Sequence, residues 1–295
     1  MLFLEGCVQP SMSPNINVAT RRVLDALGIE LIAPAGAGCC GAIRLHLSKM
    51  DSGLEDVRRN IDAWWPYIEQ GFEAIVMNAS GCGATAKEYG HLLRDDPAYA
   101  EKAHRIALLT KDLAEIFATQ EDKLRTLVAV HEKRRVVFHS PCTLQHGQRI
   151  KGVVEGLLRS LEIDVQVPSD AHLCCGSAGT YSISQPVLAS QLRDNKLAAL
   201  EATEPDVIIS ANIGCISHLA SRISPLHPLL RFGTGSNCLM MCCPAFPSVG
   251  AATDLLKRCT AAKAERIAFV RKRDLAIETG ANSRDITRHR RQRSE

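Results

Sequence analysis

Apolar residues along this chain come in short runs and in helical stripes, and the two alternate. Residues 2–4 are an apolar run ending just before Cys7. Residues 18–27 carry apolar positions at helical spacing, and residues 29–33 are short and β-branched. A longer helical pattern covers about 53–70, and an apolar strand follows at 74–78. The same order then returns: a strand at 136–139, a helix at 153–161, a strand at 163–167, a helix at about 185–202 and a strand at 206–210. Strands alternating with helices predict parallel sheets flanked by helices. The expected fold class is therefore α/β, with two tandem similar units and an irregular basic C-terminal tail. Ligands of such sheets sit beyond the carboxyl ends of the strands.

The cysteines follow the same duplication. Cys7, Cys39, Cys40 and Cys82 recur as Cys142, Cys174, Cys175 and Cys215, at offsets of 135, 135, 135 and 133. The spacer before each adjacent pair is 31 residues in both copies; after it, 41 in the first and 39 in the second. Cys-Cys-Gly is repeated whole, with Gly41 and Gly176, and Arg58 and Asn60 align with Arg193 and Asn195. Leu27-Gly28-Ile29-Glu30 resembles Leu161-Glu162-Ile163-Asp164 at an offset of 134. Residues 98–118, between the copies, read as helical, and 131–135 as a charged connector. The expected division is a first unit over 1–130, a second over 131–235, and an atypical, poorly ordered tail over 236–295.

Length and composition narrow the class. The chain has 295 residues, 46% hydrophobic and 23% charged, which suits two globular domains at about 150 residues each. No run approaches the roughly 18 apolar residues of a membrane span. Met1-Leu2-Phe3-Leu4-Glu5 has neither the basic region nor the apolar length of a signal peptide, so a cytoplasmic protein is expected. Twelve cysteines in a reducing compartment argue for metal or redox chemistry over a disulfide framework. The net charge of +3 hides an uneven balance: from residue 257 onward there are 12 basic and 5 acidic residues, against 23 and 27 before it. A nucleic-acid patch would have to lie in that tail, and no nucleic-acid partner is expected.

Four thiols gathered at strand ends have three readings. They are small buried hydrophobes, a zinc site, or ligands of an iron–sulfur cluster. Zinc ligands usually come as two close pairs, which these spacings do not supply. The spacing alone leaves the cluster type open. His172, His218, His146 and His46 lie near the thiols in sequence and are candidate ligands or hydrogen-bond donors, although surface or capping positions are expected for each. Gly41 and Gly176 suit a turn with positive φ or close backbone approach to a cluster. Trp64 and Trp65, midway along a helix, are expected to pack.

The duplicated pattern resembles the cysteine-rich CCG domain of heterodisulfide reductase and of glycolate and lactate oxidising enzymes. Gly6-Cys7-Val8-Gln9-Pro10, Ala37-Gly38-Cys39-Cys40-Gly41, Asn60-Ile61-Asp62-Ala63-Trp64-Trp65 and Ala79-Ser80-Gly81-Cys82-Gly83-Ala84 are similar to the iron–sulfur subunits of glycolate oxidase, over roughly residues 1–222. The resemblance implies an iron–sulfur electron-transfer subunit of a glycolate (2-hydroxy acid) oxidase or dehydrogenase, not catalytic alone. It implies the eight cysteines Cys7, Cys39, Cys40, Cys82, Cys142, Cys174, Cys175 and Cys215 as ligands of iron–sulfur clusters of the 4Fe–4S type. FAD is expected on a flavin-containing partner subunit, and a quinone or other membrane acceptor would place the chain at the inner face of a membrane. The alternatives are a thiol–disulfide oxidoreductase like heterodisulfide reductase, a lactate-utilisation iron–sulfur protein, and a scaffold whose clusters are lost.

Three departures qualify the resemblance. Heterodisulfide reductase closes its motif with a further cysteine, where this chain has Ala79 and Asn212, leaving four thiols per copy. Four suffice for one 4Fe–4S cluster. The ferredoxin-like region that precedes the family's CCG domains is missing, so a piece of a longer protein or a late start is expected. Beyond about Ser221 the family's final strand and helix are replaced by Gly233-Thr234-Gly235-Ser236-Asn237-Cys238, then Met240-Met241-Cys242-Cys243-Pro244, a join that a shifted reading frame would produce. Cys238, Cys242, Cys243 and Cys259 are therefore left out of the site.

Overall fold

The computed structural model describes residues 1–128 and 134–222, together with the backbone of a strand at 231–233. The expectations for the tail beyond it, including its order and its four cysteines, lie outside the described residues.

Two parallel sheets carry the fold. The first is ordered β1-β2-β3, with β1 Leu2–Phe3, β2 Ile75–Met77 and β3 Thr110–Asp112. The second is ordered β5-β4-β6-β7, with β4 Val136–His139, β5 Val165–Gln166, β6 Val207–Ser210 and β7 Arg231–Gly233. Every strand pair is parallel. In the first sheet the counterpart of β5 shrinks to one bridge, Leu2 to Ile32. Pro34 follows it and cannot donate to a ladder. With that bridge counted, the two sheets share one order. β1, β2, β4 and β6 are buried throughout, as strands covered on both faces must be.

The long helices Met50–Glu69 and Pro186–Glu201 occupy equivalent places, each after its Cys-Cys-Gly turn. The shorter helices Asn15–Ala26 and Val153–Ser160 also correspond. Both end in a left-handed residue, Gly28 at φ 80° and Glu162 at φ 62°. In both, the next amide returns to the helix, Ile29 to the Leu24 carbonyl at 2.8 Å and Ile163 to that of Leu158 at 3.0 Å. No helix among the described residues is long and apolar enough to cross a membrane.

The structure corrects two further expectations. Residues 98–118 are not one helix: Ala100–Leu109 stops, β3 forms, and Leu113–Ala118 starts afresh. Asp112 caps that new helix by accepting from the Ala114 amide at 3.0 Å, while Glu115 accepts from the Asp112 amide at 2.8 Å. The final strand of the second sheet, expected to be replaced, is formed by Arg231–Gly233 against β6.

Candidate metal centres

In the first copy Cys7 follows β1, Cys39 and Cys40 follow the Ile32 bridge, and Cys82 lies in the first turn of the helix Ser80–Lys87 after β2. All four thus stand at the carboxyl ends of parallel strands. The Cys7 and Cys39 sulfurs are 3.5 Å apart, and the Cys40 thiol lies close enough to Cys39 and Cys82 to shift with both. The four sulfurs form one connected row. Cys40 is 3% exposed, whereas Cys7 is open to solvent. Hydrogen bonds from Cys40 and Cys7 hold the Cys39 thiol well below its ordinary range. The bond from Cys40 lowers Cys82 in the same way, against the cost of burial. Cys7 and Cys40 are pushed up, chiefly by their bonds to Cys39. Lowered and raised thiols therefore alternate along the row, Cys39 and Cys82 held low and Cys7 and Cys40 high.

Backbone conformation sets this row in place. Gly41 has φ 90°, and its amide points at the Cys39 sulfur at 3.4 Å. A Cβ there would stand 2.9 Å from the Gly53 carbonyl oxygen. Asn60, fully buried, accepts from the Gly38 amide at 2.8 Å and donates to the Cys39 carbonyl at 2.7 Å and to the Tyr89 hydroxyl at 3.1 Å. Tyr89 in turn donates to the Cys40 carbonyl at 2.9 Å. One amide and one phenol thus fix both cysteine carbonyls. Gln9 ties the Cys7 loop to the sheet, donating to Asn17 at 2.6 Å and to Asn78 at 2.7 Å. Arg44 and Arg59 both pair with buried Asp56, and Arg44 adds a positive charge beside Cys39.

The second copy repeats the row from Cys142 through Cys174 and Cys175 to Cys215. Cys175 and Cys215 are buried and Cys142 is exposed. Gly176, at φ 82°, directs its amide to the Cys174 sulfur at 3.3 Å. Thiol hydrogen bonds from Cys142 and Cys175 lower Cys174, and the bond from Cys175 lowers Cys215.

Two further residues enter here, and sequence reasoning missed both. His139 ends β4, is 1% exposed, and takes the place of Leu4 in the first copy. The donor atoms of His139, Cys175 and Cys215 lie within 4.8 Å of one another. Neither ring nitrogen meets a well-directed hydrogen-bond partner, yet the ring's closeness helps hold the Cys215 thiol low. Lys196, fully buried, replaces Ile61. Its ammonium donates to the Asp170 and Ala171 carbonyls at 3.1 and 3.0 Å, and burial lowers its pKa. Applying the 135-residue offset to the flanking positions would have revealed both changes. The candidate histidines lie elsewhere: His172, His146 and His46 are exposed, and the His218 ring meets the Ala189 carbonyl at 3.1 Å. Trp64 is fully buried and stacks on Tyr89, and Trp65 donates to Glu69 at 2.8 Å.

The segments that carry the cysteines also meet across the two copies. The Ser80 amide donates to the Ala211 carbonyl at 2.9 Å, and the Ser80 and Thr143 hydroxyls share a hydrogen bond of 2.8 Å. Gln148 donates to the Ser80 carbonyl at 3.0 Å and to Asp112 at 2.9 Å. Asn212, at the position of the missing cysteine, accepts from the Gly214 amide at 2.9 Å and so caps the helix that carries Cys215.

Comparison with known proteins finds the same duplication in this chain. The model of the cysteine-rich CCG domain matches residues 1–87 and again 136–220. The chain is 52% identical over 221 residues to the glycolate oxidase iron-sulfur subunit of Escherichia coli, covering 75% of this chain and 54% of that one. It is 32% identical to the probable glycolate oxidase iron-sulfur subunit of Bacillus subtilis, over 72% of this chain and 48% of that one. The chain thus spans about half the length of these two relatives. It is also 32% identical to lactate utilization protein A of Bacillus licheniformis, covering 74% of this chain and 89% of that protein.

Proposed function

The chain belongs to the cysteine-rich CCG domain family, and from that premise we propose that it is the duplicated cluster-binding part of the iron–sulfur subunit of a 2-hydroxy acid oxidase. In this reading Cys7, Cys39, Cys40 and Cys82 hold one 4Fe–4S cluster, and Cys142, Cys174, Cys175 and Cys215 hold a second. A flavin-bearing partner would oxidise glycolate, and this chain would relay the electrons to an acceptor such as a quinone at the membrane.

One observation carries the reading. Four thiols converge at the carboxyl ends of parallel strands in each of two copies, each row with two thiols lowered by their sulfur neighbours. That donor chemistry suits soft metals and iron–sulfur clusters. Such a cluster supplies one-electron transfer when bound. The protein's own groups do the rest. Gly41 and Gly176 direct amides at ligand sulfur, which stabilises negative charge there. Buried Cys40, Cys175 and Cys215 keep water from one side of each row. The 3.5 Å contact of Cys7 with Cys39 is shorter than the roughly 6–7 Å between thiolate sulfurs around a 4Fe–4S core. Loading therefore requires the row to open, and exposed Cys7 and Cys142 are the ligands free to move.

A second reading, a lactate-utilisation protein, draws support from the 89% coverage of lactate utilization protein A. A heterodisulfide reductase-like activity draws less, because Asn212 serves as a helix cap where that family has a cysteine. Iron and acid-labile sulfide, measured on the full chain purified without oxygen, test the cluster reading. Iron and sulfide in matching amounts, halved by Cys40→Ser and abolished by adding Cys175→Ser, are expected. Protein with neither would overturn it. Binding to flavin subunits specific for glycolate or for lactate separates the two substrates.

A further inference from the structure

The two thiol rows are built alike, but their surroundings differ at the same matched positions. Where Leu4 and Ile61 enclose the first row, His139 and Lys196 enclose the second. A buried imidazole whose nitrogens find no better partner among the described residues than the Cys215 thiol is costly. This one is placed by the last residue of a fully buried strand, so it cannot swing to solvent. Its nitrogen shares a 4.8 Å sphere with the sulfurs of Cys175 and Cys215.

We propose that His139 is a metal ligand of the second centre in place of one of the four thiolates assigned above, giving that copy a mixed sulfur–nitrogen donor set beside an all-sulfur first centre. This rests on the cluster reading above. Imidazole is neutral where thiolate is anionic, and replacing thiolate by imidazole at an iron–sulfur centre raises its reduction potential. The buried ammonium of Lys196 acts in the same direction, by stabilising the more negative, reduced state. The second centre is thereby the higher-potential one of the pair, and an electron entering the chain comes to rest there.

The test uses the full chain, loaded with iron under anaerobic conditions and carrying 15N-labelled histidine. Pulsed electron paramagnetic resonance of the reduced protein should show a directly coordinated histidine nitrogen. His139→Leu, which installs the side chain of the matching first-copy position, should abolish that coupling and lower one of two midpoint potentials, with the other unchanged. His139→Gln serves if the leucine variant does not fold, and the wild-type spectrum decides the ligand question without either. Iron-loaded wild type without histidine coupling would overturn this inference and leave the cluster reading standing. A chain that binds no iron would overturn both.

Discussion

The two copies share a strand order, a cysteine row and a glycine turn, but they support the turn by different means. In the first, Asn60 and Tyr89 hold the Cys39 and Cys40 carbonyls through a buried hydrogen-bond network. In the second, Asn195, which aligns with Asn60, is exposed and makes no side-chain hydrogen bond among the described residues, and Arg222 stands at the position of Tyr89. Lys196 instead reaches the carbonyls of Asp170 and Ala171, just before the turn. The difference teaches that the thiol row and its glycine are the shared invention, while the scaffolding around them was solved twice.

The largest effect should come from the glycines that both copies require. A Cβ on Gly176 would stand 2.4 Å from the Ala189 carbonyl oxygen, closer than the 2.9 Å at Gly41. Both positions also need positive φ. Gly176→Ala should therefore destabilise by about 3 kcal/mol and Gly41→Ala by about 2 kcal/mol. Denaturation in urea gives the order, and the reverse order would mean the second turn yields more easily than its packing implies.

A pH effect of similar size distinguishes the two sheet ends. β3 ends in Asp112, whose counterpart at the end of β7 is Gly233. Burial raises the Asp112 pKa from 3.8 to about 6. The folded state thus holds this proton more tightly than the unfolded chain. The stability it contributes is present below about pH 4 and lost as pH rises through about 6, on the order of 3 kcal/mol. Asp112→Asn should flatten that fall between pH 4 and 7. An unchanged slope would show that the carboxyl is hydrated in solution.

The matched asparagines give a sharper contrast at lower cost. Asn60→Ala removes the three hydrogen bonds of a buried side chain and should cost about 2 kcal/mol, whereas Asn195→Ala should change stability by less than about 0.5 kcal/mol. Equal losses would mean that the copies are supported alike after all. The smallest effect is a gain. Glu162 occupies the left-handed position that Gly28 fills in the first copy. Glu162→Gly should stabilise by about 1 kcal/mol, seen as a rise in Tm.

Much of this was legible before any coordinates, because duplication prints the same text twice. Cysteine spacing and strand–helix order placed the rows at the strand ends. What stayed hidden depends on short-range chemistry. Leu108-Leu109-Thr110 looks like continuing helix by its apolar spacing, and only the Asp112–Glu115 capping pair marks the restart. The β-branched text of residues 29–33 predicts a longer second strand in the first copy, while its ladder is a single bridge before Pro34. His139 was read as the end of a strand. Its importance lies in what it faces, and β4 alone does not reveal that the row of Cys175 and Cys215 lies beside it.

The seam between the copies makes the halves no longer interchangeable. Thr143 and Gln148, which bond Ser80, correspond by the 135-residue offset to Val8 and Ser13. A tandem of two first halves would bring an aliphatic side chain and a short hydroxyl to a surface that needs a hydroxyl and a long amide. Gly83 records the same history from the other side, since a Cβ there would stand 2.7 Å from the Gln148 amide nitrogen. Each half has become the other's fitted neighbour, so a substitution tolerated by one as a separate module is judged by the pair.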